Sequence, residues 1–165
     1  MVYWLGLGGN LGDRRGQLSR AVRSLATLGR VVRVSQAYET APVGLPAGAP
    51  PFLNAVACLE SDFSPHLLLA EMKAHEQASG RDLLTSHRRS RPIDLDILLA
   101  EELVLAAPGL TIPHPEMHRR RFVLAPLAEV APALIHPLLK RSVAELLAEL
   151  QDGAAVTPTG WTPEE

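Results

Sequence analysis

The sequence predicts an α+β fold in which helices pack on an antiparallel sheet. Two strand–helix–strand arrays follow one another along the chain, and segments rich in glycine and proline separate their elements. Apolar residues make up 47% and charged residues 21% of the 165 residues, which is enough for one core of this size. The order of elements favours a ferredoxin-like α/β sandwich with helices on one face of the sheet. We expect residues 1–165 to form a single domain.

The first array begins with a short β-branched and aromatic strand, Val2 to Leu7. The segment Gly8-Gly9-Asn10-Leu11-Gly12 predicts a tight turn, and the apolar stripe that follows it predicts a helix that ends at Gly29. Val31 to Tyr38 has the pattern of a strand. The next segment, Ala41 to Pro51, contains six Pro or Gly and no charged residue, which is typical of a conformationally restricted loop.

The second array begins with the strand Phe52 to Leu59. Ser64-Pro65 is an N-cap followed by a first-turn proline, and it predicts a helix through about Ser79. The loop Arg81 to Pro92 then leads into the alternating strand Ile93 to Leu98. Additional helices are predicted at Glu116 to Val130 and at Ser142 to Gln151, and residues 152–165 are expected to form a frayed tail.

Charge and cysteine content exclude several classes of protein. The net charge of −2 removes a global attraction to nucleic acid or to a membrane. The longest mostly apolar stretch, Phe122 to Ile135, is too short and too interrupted by prolines to span a bilayer. The single cysteine, Cys58, lies in an apolar run and is expected to be a small buried hydrophobic residue. We therefore expect a cytoplasmic protein.

The basic residues are concentrated in two short segments. If the fold brings these segments together, they form a strong local anion site, whereas the alternative is two solvated basic loops. The residues are Arg81, Arg88, Arg89, Arg91, Arg119, Arg120 and Arg121.

Asp94 and Asp96 are two residues apart on a predicted strand, so both carboxylates leave the same face. This pair can hold Mg²⁺, which takes oxygen ligands and keeps waters and substrate phosphates in its other positions. The alternative is a strand that shows its acids to solvent or pairs them with Arg91. Arginines next to paired acids favour phosphoryl chemistry, and no P-loop motif is present.

Phe52 and Asn54 also share one face of a strand, where an aromatic ring and an amide can bind a flat heterocycle. Phe122, beside the second arginine segment, can supply an opposite stacking ring. The alternative is a core phenylalanine with an asparagine that satisfies neighbouring backbone.

Glu76 extends an apolar helical stripe, so its carboxylate is expected to face inward and to orient an arginine or to contact nucleotide. The alternative is a solvated glutamate in the last helical turn. His114, between Pro113 and Pro115, has the restricted backbone of a positioned phosphate donor. The other histidines lack zinc-ligand spacing and are expected to be surface or structural residues: His66, His75, His87, His118 and His136.

Taken together, the ordered motifs resemble the 6-hydroxymethyl-7,8-dihydropterin pyrophosphokinase family of folate biosynthesis. The resemblance runs through most of the chain. The ordered set of motifs is specific to the family, although each motif alone is a weak signal. Its segments are Leu7 to Gly12, Tyr38 to Gly44, Phe52 to Ala55, Arg91 to Leu98, Pro113 to Pro115, Arg120 to Phe122 and Pro126-Leu127.

The resemblance implies a ferredoxin-like enzyme that transfers diphosphate from MgATP to the pterin hydroxymethyl group and releases AMP. It implies two Mg²⁺ ions on Asp94 and Asp96, and catalytic roles for these residues together with Arg81 and Arg91. The ATP contacts that it implies are Glu76, Arg81, Arg91, Thr111, His114 and Arg120. The pterin contacts that it implies are Phe52, Asn54 and Phe122, with the backbone of Thr40, Ala41 and Val43.

One segment departs from the family pattern. Arg88-Arg89-Ser90 stands where many members have Trp-Gly-Pro, so the two arginines are expected to substitute charge for stacking in a loop that closes over substrate. The expected reaction is attack of the pterin oxygen on the β-phosphorus of ATP. The expected partners are the two small-molecule substrates, with no nucleic acid and no membrane. The protein is expected to be a monomer.

Two other functions are compatible with parts of this pattern. The first is a non-catalytic RNA-binding or regulatory module, in which arginines contact phosphate and phenylalanines stack on bases. Its binding would weaken steeply with salt. The second is a different Mg²⁺-dependent nucleotidyl or phosphotransferase, which would release pyrophosphate or ADP instead of AMP.

Overall fold

A computed structural model describes residues 1–41, 47–79, 92–151 and 155–163. The strands are β1 (Val2–Gly9), β2 (Arg30–Val34), β3 (Tyr38–Thr40), β4 (Phe52–Glu60), β5 (Asp94–Ala100), β6 (Leu105–Ala107), β7 (Leu110–Ile112) and β8 (Val156–Pro158). The helices are α1 (Arg14–Leu25), α2 (Pro65–Ala78), a 3₁₀ helix (Met117–Arg119), α3 (Arg121–Val130) and α4 (Val143–Glu149).

Six of these strands form one antiparallel sheet. The order is β5-β1-β4-β3-β8, and β2 pairs with the other end of β4. The acidic strand β5 therefore lies at the edge of the sheet, with one side of its backbone facing away from β1. Strands β6 and β7 follow β5 in the chain and form a separate two-stranded sheet. This architecture confirms the predicted α+β fold with an antiparallel sheet.

The sheet carries helices on both faces, so the prediction of helices on one face is wrong. On one face, Leu18 of α1 and Met72 of α2 belong to a buried cluster with Leu5 of β1. On the other face, Leu124 of α3 belongs to a second cluster with Trp4. The seven residues from Leu53 to Leu59 are all buried, because β4 is covered on both sides.

Two predicted elements are interrupted in the structure. The predicted strand from Val31 to Tyr38 divides into β2 and β3 at Ser35, whose hydroxyl donates to the Gln36 carbonyl and accepts from the Val56 amide. The predicted helix from Glu116 is broken at Arg120, where the backbone is extended (φ −115°, ψ 105°). The N-cap predicted at Ser64 is confirmed, since its side chain accepts from the Leu67 amide. Ser142 caps α4 in the same way, through the Glu145 amide.

Both ends of the chain differ from the prediction. Gly8 and Gly9 are paired residues of β1 rather than a tight turn, and the left-handed turn falls at Gly12 (φ +67°). The carboxyl-terminal tail is not frayed through residues 156–161, because β8 pairs with β3 and Trp161 is fully buried. None of the helices in the described part of the chain has the length and apolar composition that a bilayer span requires.

Candidate active site

Strand register brings the predicted pterin residue and the predicted metal residue into one row. Gly8 of β1 is paired with Asn54 of β4 on one side and with Asp94 of β5 on the other. Residues paired across an antiparallel sheet share a face. A Cβ atom on Gly8 would lie 2.5 Å from Asn54 Oδ1, so the asparagine side chain occupies the space that this glycine leaves. The glycine thus lets an amide lie across the central strand.

The Lys73 ammonium lies beside Asp94 and Asp96, and Lys73 was not among the site residues predicted from the sequence. Lys73 Nζ lies 3.9 Å from Asp94 Oδ1 and 3.8 Å from Asp96 Oδ1. The side chains are 30% exposed for the lysine, 18% for Asp94 and 35% for Asp96, so water reaches this group only partly. The spacing of Lys73 three residues before Glu76 on α2 was the available signal for its position.

Glu76 is fully buried, so the prediction that it faces inward is confirmed and the alternative of a solvated glutamate is wrong. Its Oε1 accepts from the Leu95 amide at 2.6 Å and from Lys73 Nζ at 2.9 Å. Lys73 also donates to the Leu95 carbonyl at 2.9 Å. One turn of α2 therefore satisfies both backbone groups that Leu95 turns toward the open edge of the sheet.

The charges of this group act on one another. Burial raises the pKa of the Asp96 carboxyl, and the nearby Asp94 raises it further, whereas Lys73, His114 and Arg120 lower it. Burial likewise raises the pKa of Glu76, against the opposing effects of Lys73 and the Leu95 amide. The site thus combines acids that repel one another with cations that offset the repulsion.

His114 and Arg120 lie close enough to Asp96 for their charges to affect it, although the three residues come from different segments. The His114 backbone amide donates to the Leu98 carbonyl at 2.8 Å, which attaches this segment to β5. Burial lowers the pKa of His114 below its ordinary value. Its Nδ1 accepts from the Glu116 amide at 3.1 Å, which leaves Nε2 as the ring's donor.

The aromatic and amide residues of the predicted pterin site come from two elements, with Phe52 and Asn54 on β4 and Phe122 on α3. The Arg120 guanidinium lies 5.6 Å from the centre of the Phe122 ring, a cation–π distance. Asn54 Nδ2 donates to Thr40 Oγ1 at 2.9 Å, which fixes the orientation of the amide. Phe52 is paired with Thr40 and is half-buried at the start of β4.

The remaining predicted site residues are either exposed or outside the described residues. Thr111 lies on β7 opposite Ala106 with an exposed side chain, three residues before His114. Ala41 is exposed immediately after β3. Val43, Arg81 and Arg91 lie outside the described residues, as does the Arg88-Arg89-Ser90 segment.

The residues present fit a hard divalent cation. Two carboxylates project from one face of β5, and a bound cation would relieve the repulsion between them. Carboxylate oxygens are the ligands that Mg²⁺ prefers, with water and phosphate completing its coordination. In the described part of the chain no three histidine, cysteine or acidic side chains form a larger cluster of metal ligands.

The fold and this site define an α+β protein of ferredoxin-like type with a charged site at the edge strand of its sheet. Residues 4–132 match the family described as 7,8-dihydro-6-hydroxymethylpterin-pyrophosphokinase (HPPK). The chain belongs to this family.

Relatives and solved structures agree with this assignment. The 2-amino-4-hydroxy-6-hydroxymethyldihydropteridine pyrophosphokinase of Porphyromonas gingivalis is 43% identical over 140 residues, which is 82% of this chain and 94% of the relative. The enzyme of the same name from Pseudomonas aeruginosa is 42% identical over 149 residues, 88% of this chain and 89% of the relative. The fold is similar to wild-type HPPK-DHPS of Plasmodium falciparum with pteroate, with a TM-score of 0.70, 16% identity and 90% of this chain covered. This chain spans 42% of that longer protein.

Proposed function

We propose that this chain transfers diphosphate from ATP to the hydroxymethyl group of 6-hydroxymethyl-7,8-dihydropterin, giving AMP and the pterin diphosphate, a step in folate biosynthesis. The family and the names of the similar enzymes support this activity. The single structural observation that supports it is the row Asn54, Gly8 and Asp94, which puts the proposed heterocycle-binding amide and a proposed metal ligand on one face, on either side of Gly8.

Our proposal for the pterin half of the site uses the start of β4. Asn54 presents an amide oriented by Thr40, and an amide can pair with both donors and acceptors on a heterocycle. Phe52 and Phe122 supply aromatic faces for the flat ring. The backbone of Thr40, Ala41 and Val43 supplies further hydrogen bonds to the ring edge.

The nucleotide half of the proposed site surrounds β5. His114 through Nε2 and Arg120 through its guanidinium donate to phosphate oxygens, and Arg81 and Arg91 add further positive charge. Thr111 lies at the nucleotide, and Glu76 keeps the acidic strand in place through the Leu95 amide. These groups neutralise the negative charge that grows on the phosphates during transfer.

In the proposed reaction a new bond forms between the pterin hydroxymethyl oxygen and the β-phosphorus, and the bond from that phosphorus to the α-phosphate oxygen breaks. AMP leaves with that oxygen, and the hydroxyl proton is released. The residues act by aligning the two substrates and by stabilising charge. Mg²⁺, two ions in our proposal, would be held by Asp94 and Asp96 and would supply Lewis-acid stabilisation of phosphate oxygens.

The test is product analysis after mixing the purified chain with ATP, Mg²⁺ and 6-hydroxymethyl-7,8-dihydropterin. We expect AMP and pterin diphosphate in equal amounts from the intact chain. The Asp94→Asn/Asp96→Asn variant should form neither, because it removes both negative charges while keeping the size and shape of the side chains. Release of ADP or pyrophosphate, or no turnover by a chain that binds both substrates, would contradict the proposal.

The remaining features of the proposal concern the whole protein. We propose a monomer of a single domain with two small-molecule substrates and no nucleic-acid or membrane partner, consistent with the net charge of −2. We propose a cytoplasmic location, which agrees with a lone buried cysteine. Size-exclusion chromatography with light scattering tests the oligomeric state directly.

A further inference from the structure

The Lys73 ammonium is held in a fixed place beside the acidic strand. It donates to Glu76 Oε1 and to the Leu95 carbonyl, both at 2.9 Å. Both acceptors are well anchored, since Glu76 is fully buried and Leu95 is a residue of β5. An ammonium held by two such bonds differs from a surface lysine, whose flexible side chain samples many rotamers.

The same ammonium is nearly equidistant from the two proposed metal ligands, at 3.9 Å from Asp94 Oδ1 and 3.8 Å from Asp96 Oδ1. These separations are longer than hydrogen bonds, so the carboxylates interact with it through charge alone. A divalent cation bound by both carboxylates would lie in the field of this fixed positive charge. Like charges at such separations repel strongly in a partly desolvated site.

We propose that Lys73 is a positioning residue whose ammonium, held beside Asp94 and Asp96, weakens their affinity for free divalent cations. Before metal binds, the ammonium offsets the repulsion between the two carboxylates. When metal binds, the ammonium opposes it, because its hydrogen bonds to Glu76 and Leu95 hold it in place. This inference rests on the proposed function in taking Asp94 and Asp96 as metal ligands.

The first test measures Mn²⁺ binding to the full chain without nucleotide, by electron paramagnetic resonance of the free ion. Lys73→Gln removes the charge, while the side chain remains a hydrogen-bond donor of similar shape. The matched control is Lys140→Gln, since Lys140 is exposed and is the other of the chain's two lysines. The Asp94→Asn/Asp96→Asn variant identifies the ions bound at the acidic pair.

We expect Lys73→Gln to bind Mn²⁺ on the order of tenfold more tightly, the size expected from removing one nearby like charge at intermediate dielectric. Lys140→Gln should bind as the unchanged chain does. An unchanged or weakened affinity in Lys73→Gln would overturn the inference, because a purely structural lysine would not restrain metal binding.

A second test needs no substitution at the site and can overturn the inference even if Lys73→Gln does not fold. With lysine labelled at ¹³Cε, the chain gives two side-chain resonances, and the Lys140→Gln spectrum assigns them. On titration with Mg²⁺ alone, we expect the Lys73 resonance to move with saturation while the Lys140 resonance stays constant. A Lys73 resonance that does not move while Mg²⁺ binds would overturn the inference.

These measurements separate two kinds of failure. If Mn²⁺ binds in a way that depends on Asp94 and Asp96, but neither the Lys73 substitution nor the Lys73 resonance responds, only the role of Lys73 is overturned. If no metal binding depends on the two aspartates, both the proposed metal site and the proposed role of Lys73 are overturned.

Discussion

Glu76 on α2 accepts a hydrogen bond at 2.6 Å from the backbone amide of Leu95, the residue between the two site aspartates. An edge strand leaves every second residue's amide and carbonyl without a partner strand. Here the helix supplies partners for both groups of one residue, through Glu76 and Lys73. The contact fixes α2 against the strand that carries the acidic pair.

The first prediction concerns this contact. Glu76→Ala should lower the free energy of unfolding by about 3 kcal/mol, because it removes the acceptor of a buried amide and the partner of a partly buried ammonium. Urea unfolding measures the change. Glu71→Ala, an exposed position on the same helix, is the control and should change stability little. Equal urea midpoints for the two variants would contradict this account.

The second prediction uses two of the glycines in β1, Gly8 and Gly6. Gly8→Ala places a methyl group 2.5 Å from Asn54 Oδ1, so the amide must leave its place and its hydrogen bond to Thr40. We expect the KM for the pterin to rise by about tenfold or more, the effect of losing a well-oriented hydrogen-bonding group.

Gly6→Ala is the matched control for that substitution. It lies two residues away on the same face of the same strand, and its methyl group would meet the Leu98 side chain at 3.4 Å, an ordinary contact. Its KM for the pterin should stay near that of the unchanged chain. Similar KM values for the two variants would show that Asn54 is not held in place by the absence of a side chain at Gly8.

The third prediction concerns the carboxyl-terminal segment. Trp161 is fully buried, so Trp161→Ala should cost about 4 kcal/mol of unfolding free energy. Trp161→Phe should cost clearly less, because the buried indole Nε1 has no hydrogen-bond partner among the described residues. Thr162→Ala, an exposed neighbour, is the control, and thermal unfolding is the measurement. A Phe variant as unstable as the Ala variant would refute this explanation.

The fourth prediction is a pH dependence. His136 is buried, and its Nδ1 accepts from the amides of Leu138 and Leu139. Burial lowers its pKa below the ordinary value of 6.5, and the neighbouring His118 lowers it further. The unfolded chain therefore takes up the proton first, so the stability that this residue contributes is present above pH 6.5 and is lost as the pH falls below it.

The test is urea unfolding of the unchanged chain and of His136→Asn between pH 7.5 and pH 5. Asparagine can accept from the same amides through its oxygen, but it does not titrate in this range. We expect a shallower loss of stability on acidification for the variant. Some pH dependence should remain, since burial also lowers the pKa values of His75 and His114. Identical slopes for the two chains would contradict the prediction.

The shared face of the two aspartates in the proposed metal site could be predicted from local sequence. Asp94 and Asp96 share a face because side chains alternate along any strand, whatever that strand packs against. Lys73 could not be found in this way, because its place depends on how α2 lies against the edge of β5. The apolar run from Leu53 to Leu59 did carry information about its burial, since a strand covered on both faces lacks polar alternation.

The sequence by itself determined the helix cap at Ser64, the shared face of the acidic pair and the family, because each depends on residue types at short, fixed spacings. Only the tertiary structure decided that Asn54, Gly8 and Asp94 lie in one row and that β8 pairs with β3. These features join segments far apart in the chain, and such pairings depend on strand register and packing across the whole sheet rather than on neighbouring residues.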